Sequence, residues 1–169
     1  MSIPDRDAAA VPVDRAFLTS HPASALALVG GAGLFPYGPG TVGALAGIPL
    51  GLALQPLTVP VAGLLVVLLF GLGIWACGTA AERAGVHDHP AIVFDEAWAM
   101  AAVLAFSPAG LWPAVVAFAA FRLFDIAKPW PINLIDRRVG SGIGIMLDDA
   151  AAAVLALAAV GLLARYGWF

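Results

Sequence analysis

Residues 59–81 read VPVAGLLVVLLFGLGIWACGTAA, and this stretch decides the class of fold. It contains no charged residue, and a helix of about 20 apolar residues is long enough to cross the hydrocarbon core of a membrane. The whole chain of 169 residues is 62% hydrophobic and 11% charged, whereas a soluble domain carries about 25% charged residues. The composition therefore predicts an integral membrane protein. No block of Lys and Arg indicates a nucleic-acid partner.

Further apolar segments on either side of this stretch predict an all-α, polytopic membrane helix bundle with about five transmembrane helices. The segment 21–40 is also apolar, but Gly and Pro interrupt it, which favours a short interfacial or re-entrant helix. The preceding residues 1–20 are polar and rich in Ala and Pro, and are expected to form a flexible cytoplasmic tail. The predicted spans are 42–57, 59–81, 91–106, 111–126 and 149–163.

Basic residues fall on alternate connections between these spans. The turns at 57–58 and 107–110 contain none, and only Arg165 follows the last span. Because Lys and Arg are enriched in cytoplasmic loops, we expect the N-terminus and both long loops to face the cytoplasm. The polar residues of interest then gather at that membrane face. The basic residues that set this orientation are Arg6, Arg15, Arg83, Lys128, Arg137 and Arg138.

Two adjacent acids, Asp95 and Glu96, lie in the stretch VHDHPAIVFDEAWAMAAVLAF at 86–106. A charge inside a membrane bundle is costly unless it is paired or holds a metal, and carboxylate oxygens are ligands that Mg²⁺ prefers. The alternative is a helix N-terminus, whose dipole favours acids. His87 and His89 lack the further spaced ligands of a zinc site, and we expect them to be solvated at the interface.

The stretch FRLFDIAKPWPINLIDRR at 121–138 places Arg122 and Asp125 on one helix face. Pro129 disfavours helix for the residue before it, so Lys128 is expected at the helix tip. A simple ion pair between Arg122 and Asp125 would also explain their spacing. Two cations close to several acids are more than one ion pair requires.

Two glycine-rich stretches each lead into a helix. In PYGPGTVGALAGIPL at 36–50, glycines before Thr41 could expose backbone N–H groups to an anion, or Thr41 could simply cap the helix. In GSGIGIMLDDAAAAVLAL at 140–157, a flexible loop is expected to deliver Asp148 and Asp149 to the start of the last span. One of these two acids is expected to act as a helix cap.

Four of these motifs, in this order, resemble the bacterial phosphatidylglycerophosphatase A family. The resemblance implies a Mg²⁺-dependent enzyme of the bacterial inner membrane. Such an enzyme would hydrolyse the phosphomonoester of phosphatidylglycerophosphate to phosphatidylglycerol and phosphate. Residues 21–169 would then form a single transmembrane catalytic domain. The motifs are PGTVGALAGIPL, HDHPAIVFDE, FRLFDIAKPWPI and GIGIMLDD.

We combine the resemblance with the chemistry of the residues into one hypothesis for the site. The predicted metal ligands and catalytic acids are Asp95, Glu96, Asp125 and Asp149. Asp88 and Asp148 are expected behind them, orienting the ligands. The residues expected to bind the phosphate oxygens are Thr41, Arg122 and Lys128. The substrate would be a phospholipid held in the membrane.

A small ion-coupled transporter is the alternative function, since acids and arginines within a membrane also form ion paths. That function predicts charges near the middle of the spans and inverted repeats. The charges here cluster at one end of the spans, and no internal duplication is evident.

Overall fold

The computed structural model describes residues 11–86, 89–130 and 141–169, and every regular element within these ranges is helical. The all-α prediction is therefore confirmed for the described part of the chain. A 3₁₀ segment, Val29–Leu34, follows the second helix. The α-helices are α1 (Arg15–Ser20), α2 (Pro22–Ala27), α3 (Pro39–Leu54), α4 (Val59–Ala84), α5 (Phe94–Ala105), α6 (Leu111–Ala127) and α7 (Gly142–Arg165).

Two of the described helices, α4 and α7, are long and apolar enough to cross a membrane. The other predicted spans form shorter helices, of 16 residues in α3, 17 in α6 and 12 in α5. A 12-residue helix rises about 18 Å, well short of a hydrocarbon core of about 30 Å. The prediction of five transmembrane spans is therefore not confirmed, although each predicted span contains a helix.

The short helix α5 lies at the centre of the bundle. It packs against α3, α4, α6 and α7, and its side chains from Ala97 to Leu104 are all buried. Its apolar sequence is explained by contact with other helices on all sides. A helix that is apolar all round can be a membrane span or a core helix, and the sequence alone did not separate the two.

Small residues let α3 approach α5 closely. Gly43, Gly47 and Gly51 recur at helical spacing on one face of α3. A Cβ atom at Gly43 would lie 2.6 Å from the Cβ of Val93, and one at Gly47 would overlap the backbone of Ala97. This close packing fixes α3 against α5 along most of the length of α5.

Helix α7 begins at Gly142, seven residues before the predicted start at residue 149. Gly142 packs directly on α4, where an added Cβ would lie 2.8 Å from the backbone nitrogen of Gly78. Asp148 and Asp149 consequently lie about two turns inside the helix. The prediction that one of them caps the helix is wrong, because close glycine packing allows the helix to start earlier.

The segment before α3 also packs against the bundle. Within the predicted tail, residues 15–20 form α1, where Phe17 is buried. The backbone N–H of Val11 donates to the carbonyl of Ala84 at 3.0 Å. In α2, Ala23 and Ala27 are fully buried. The interfacial or re-entrant position expected for the segment 21–40 stays a prediction.

Candidate active site

Three carboxylates from two helices meet in the interior of the bundle. Asp95 and Glu96 lie in the first turn of α5, and Asp149 comes from α7. One oxygen from each of the three side chains lies within 4.8 Å of the others. Asp95 and Asp149 are only 9% and 3% exposed. The structure therefore brings together three of the four acids predicted as metal ligands, in a geometry able to hold a cation.

Helix α5 places its two acids by the way it begins. Its N-cap is Val93, whose backbone N–H donates to the carbonyl of Ala27 at 2.9 Å and whose side chain provides no cap. Asp95 and Glu96 then follow in the first turn, where the helix dipole favours negative charge. The alternative considered from sequence, an acid-rich helix N-terminus, therefore describes Asp95 and Glu96 correctly. It does not account for the third acid, Asp149.

Several polar atoms of this cluster lack a hydrogen-bond partner among the described residues. They include Asp95 Oδ1, Glu96 Oε2 and Asp149 Oδ2, all inaccessible to solvent. Buried carboxylates without partners are costly, and three in contact also repel each other. Carboxylate oxygens are the ligands of hard divalent cations. The donor set therefore fits a divalent cation such as Mg²⁺.

The last turns of α6 bring the fourth predicted acid to the same place. Asp125 is close enough to Glu96 and Asp149 to interact with both electrostatically. Arg122 donates to Asp125 across one helical turn, and both side chains are largely buried. The simple ion pair considered from sequence is therefore real, and it also borders the acid cluster. The Nε of Arg122 is buried with no partner among the described residues.

Lys128 and Asp148 connect the end of α6 to the beginning of α7. The Nζ of Lys128 donates to Asp148 Oδ2 at 2.7 Å. Lys128 ends α6, as predicted, with a left-handed backbone conformation. The other oxygen of Asp148 accepts from the backbone N–H of Asp149 at 3.1 Å. Asp148 therefore lies directly behind Asp149, and the side chain of Lys128, predicted to contact phosphate, is engaged with Asp148.

Helix α3 covers the cluster with its first turn. Its N-cap is Gly38, in a left-handed conformation with no side-chain cap, so the alternative of a Thr41 cap is wrong. A Cβ atom at Gly40 would overlap Glu96 Oε1 and would lie 3.5 Å from Nη1 of Arg122. Gly40 was not among the predicted site residues. Its glycine-rich stretch was the signal, but spacing alone could not show which glycine faces the acids.

His89 lies in the turn before α5. His89 Nδ1 accepts from the backbone N–H of Ala91 at 3.1 Å, which stabilises the turn before α5. His87 and Asp88 lie outside the described residues. The expected role of Asp88 behind the metal ligands stays a prediction.

The fold and the site define an α-helical protein with a buried acidic centre suited to a divalent cation. Comparison with known proteins gives the particular family. A family model described as phosphatidylglycerophosphatase A matches residues 25–164. The chain belongs to the phosphatidylglycerophosphatase A family, and is therefore a phosphatase.

Two curated relatives carry the name phosphatidylglycerophosphatase A. The protein of Escherichia coli strain K12 is 42% identical over 137 residues, covering 80% of each chain. The protein of Haemophilus influenzae is 42% identical over 142 residues, covering 83% of this chain and 87% of its own. No solved structure matches this chain.

Proposed function

We propose that this protein hydrolyses the phosphomonoester of phosphatidylglycerophosphate, giving phosphatidylglycerol and inorganic phosphate. The observation that carries the proposal is the meeting of acids from α5, α6 and α7 beside Arg122. The substrate follows from the name shared by relatives that match most of the chain. The proposed catalytic acids and metal ligands are Asp95, Glu96, Asp125 and Asp149.

Mg²⁺ is the proposed cofactor. The unpartnered oxygens of Asp95, Glu96 and Asp149 are the atoms that would hold it. When bound, the ion would neutralise charge on the phosphate and lower the pKa of a water molecule. Mg²⁺ commonly takes one or two carboxylates together with substrate phosphate, so these oxygens need not all bind the ion at once. An acid that does not bind the ion would accept the proton from the attacking water.

The cationic side chains beside the acids would bind the phosphate. The unpartnered Nε of Arg122 is available to an anion, and a guanidinium can make paired hydrogen bonds to phosphate oxygens. The N-terminus of α3 approaches the same side chain at Gly40, and it would add positive helix-dipole potential. Thr41, the next residue, stays the proposed hydroxyl ligand of the phosphate. Lys128, with three N–H donors, would contribute a further donor while Asp148 positions it.

The proposed location is the bacterial inner membrane, with several spans and the site at the cytoplasmic face. The lengths of α4 and α7 support this location. Leu64, Val67 and Leu68 of α4 are each at least 59% exposed, which suits lipid contact. A membrane location would hold the site beside its phospholipid substrate.

The alternative of an ion-coupled transporter is not favoured. The described acids of the cluster lie at the start of α5, near the start of α7 and in the last turns of α6. They form one compact centre, whereas an ion path requires polar groups along the membrane. The family of the chain is a phosphatase family.

Phosphate release by the purified protein in detergent tests the proposed function. We expect release from phosphatidylglycerophosphate with Mg²⁺ and none with EDTA. Glu96→Gln and Asp125→Asn should each lower turnover by at least about 10²-fold, the lower range for loss of an acid–base or metal-bound group. Each variant should keep the helical circular dichroism of the wild type. Full turnover in either variant would remove that acid from the proposed site.

A further inference from the structure

An apolar groove of about 400 Å³ separates α3 from α6. Both helices pack on α5. The side chains along the groove are apolar without exception, and several of them are half exposed. The groove is lined by Leu45, Ile48 and Leu52 of α3 and by Ala114, Val115 and Phe118 of α6, among others.

The groove runs toward the acidic centre. On α3, residues 45, 48 and 52 recur at helical spacing, and the position one turn before them is Thr41. On α6, residues 114 and 118 share a face with Arg122, one turn further on. A Cβ atom added at Gly40, next to Thr41, would lie 3.5 Å from Nη1 of Arg122, so the two helices come close together there. The lining of the groove ends at Leu45 and Phe118, which lie one helical turn from Thr41 and Arg122.

We infer that this groove holds one acyl chain of the lipid phosphate whose phosphate group binds at Arg122. The inference rests on the proposed function and specifies how that site takes its substrate. Apolar walls that stop one helical turn from a buried, unpartnered guanidinium nitrogen match a molecule with an apolar chain and an anionic head. A second protein helix would match the walls but would not supply the anion.

The length of the groove also fits an acyl chain. The rise along α3 from Thr41 to Leu52 is roughly 16 Å. One leaflet of a bilayer contributes about half of a hydrocarbon core of about 30 Å. A lipid with its phosphate at the level of Arg122 would therefore extend one chain along the full groove.

The main effect of the groove is to orient the substrate, and it adds little binding free energy. Transfer of a chain from lipid to an apolar groove gains little hydrophobic free energy, because the lipid tails are as apolar as the walls. A chain held along α6 instead fixes the position of the phosphate relative to Glu96 and Asp149. Holding reacting groups in place lowers the barrier of the chemical step. Binding of a chain in the groove should therefore raise kcat/KM for long-chain substrates relative to short-chain ones.

Chain-length kinetics test the inference. Ala114→Trp narrows the groove from α6, and Leu52→Trp narrows it from α3. Ala114 lies about 12 Å below Arg122 along the helix, beyond the reach of a hexanoyl chain. We expect each variant to lower the ratio of kcat/KM for dipalmitoyl over dihexanoyl phosphatidylglycerophosphate by on the order of tenfold, about 1.4 kcal/mol.

A matched control is Leu64→Trp on α4, where the leucine is 59% exposed and away from the groove. This variant should keep the wild-type ratio. An unchanged ratio in both groove variants would overturn the inference while leaving the proposed function intact. Failure of the wild type to release phosphate from either lipid would instead overturn the proposed function.

Photo-crosslinking gives a readout that is independent of turnover. The probe is a dialkyl glycerol phosphate with a diazirine at the end of one chain, and adducts are located by mass spectrometry. We expect adducts in the α3 and α6 segments that line the groove, and fewer of them in Ala114→Trp. Adducts confined to α4, or a stable dimer that covers the groove, would overturn the inference.

Discussion

At the scale of single residues, the absence of a side chain at Gly40 allows Glu96 to take its position in the site. The glycine lies in the first turn of α3, and its missing side chain leaves the space that Glu96 Oε1 occupies. The neighbouring Arg122 Nη1 is also close. Because a carboxylate is the flexible end of its side chain, an added methyl group would displace Glu96 and leave the helices in place.

Gly40→Ala should therefore impair catalysis more than folding. We expect phosphate release to fall by roughly tenfold or more, since a small displacement of a catalytic group is costly. The Tm should change little, because alanine is the better helix former. Gly71→Ala on α4, where an added Cβ meets nothing within 4 Å, is the control and should keep full activity. Wild-type activity in Gly40→Ala would contradict the assigned role of Glu96.

The acids and cations of the site were predictable from sequence because charged residues in so apolar a chain are few. The sequence predicts Asp95, Glu96, Asp125 and Asp149 as site residues, and the structure brings the first two and Asp149 together with Asp125 beside them. Gly40 was not predictable, because glycine has no chemistry of its own. Its role depends on which side chain from another helix lies above it.

At the scale of elements, the packing of α3 on α5 positions the first turn of α3 over the acid cluster. Gly47 lies where a Cβ would overlap the carbonyl of Ala97, and Gly51 where one would lie 2.6 Å from the Cβ of Leu104. Backbone atoms cannot move aside as a flexible side chain can. The two helices must therefore separate if this face of α3 becomes larger.

Gly47→Ala should destabilise the protein. Overpacking of a tight contact costs typically about 1–3 kcal/mol, so the Tm in detergent should fall. Activity should fall with it, because a shift of α3 also moves Gly40. Gly161→Ala on α7, where the added Cβ meets nothing within 4 Å, provides the comparison and should keep the wild-type Tm. A Tm of Gly47→Ala equal to that of the wild type would refute the close α3–α5 contact.

Helix identity was predictable at this scale, whereas helix ends and the membrane role of each helix were not. Long apolar runs predicted helices in the right places. The early start of α7 depends on contact between Gly142 and Gly78, two residues far apart in sequence. The burial of α5 depends on its four neighbouring helices. Neither contact leaves a signal in the local pattern of residues.

At the scale of the whole molecule, the fold brings three helix ends together around one acidic centre. The beginning of α5, the end of α6 and the first turns of α7 supply the carboxylates, and Lys128 ties α6 to α7 through Asp148. Three carboxylates with oxygens within 4.8 Å of one another, and Asp125 beside them, repel each other strongly unless a cation binds between them. The central claim is that a divalent cation occupies this centre.

Binding of Mn²⁺ to the purified protein, followed by electron paramagnetic resonance, tests that claim most directly, since Mn²⁺ accepts the same oxygen ligands as Mg²⁺. We expect the wild type to bind Mn²⁺ in competition with Mg²⁺. Glu96→Gln and Asp149→Asn should each weaken binding by at least about tenfold, the effect of about 1.4 kcal/mol. Asp14→Asn, at the N-cap of α1 and outside the acid cluster, should bind Mn²⁺ as the wild type does. Equal Mn²⁺ affinity in the wild type, Glu96→Gln and Asp149→Asn would contradict the account.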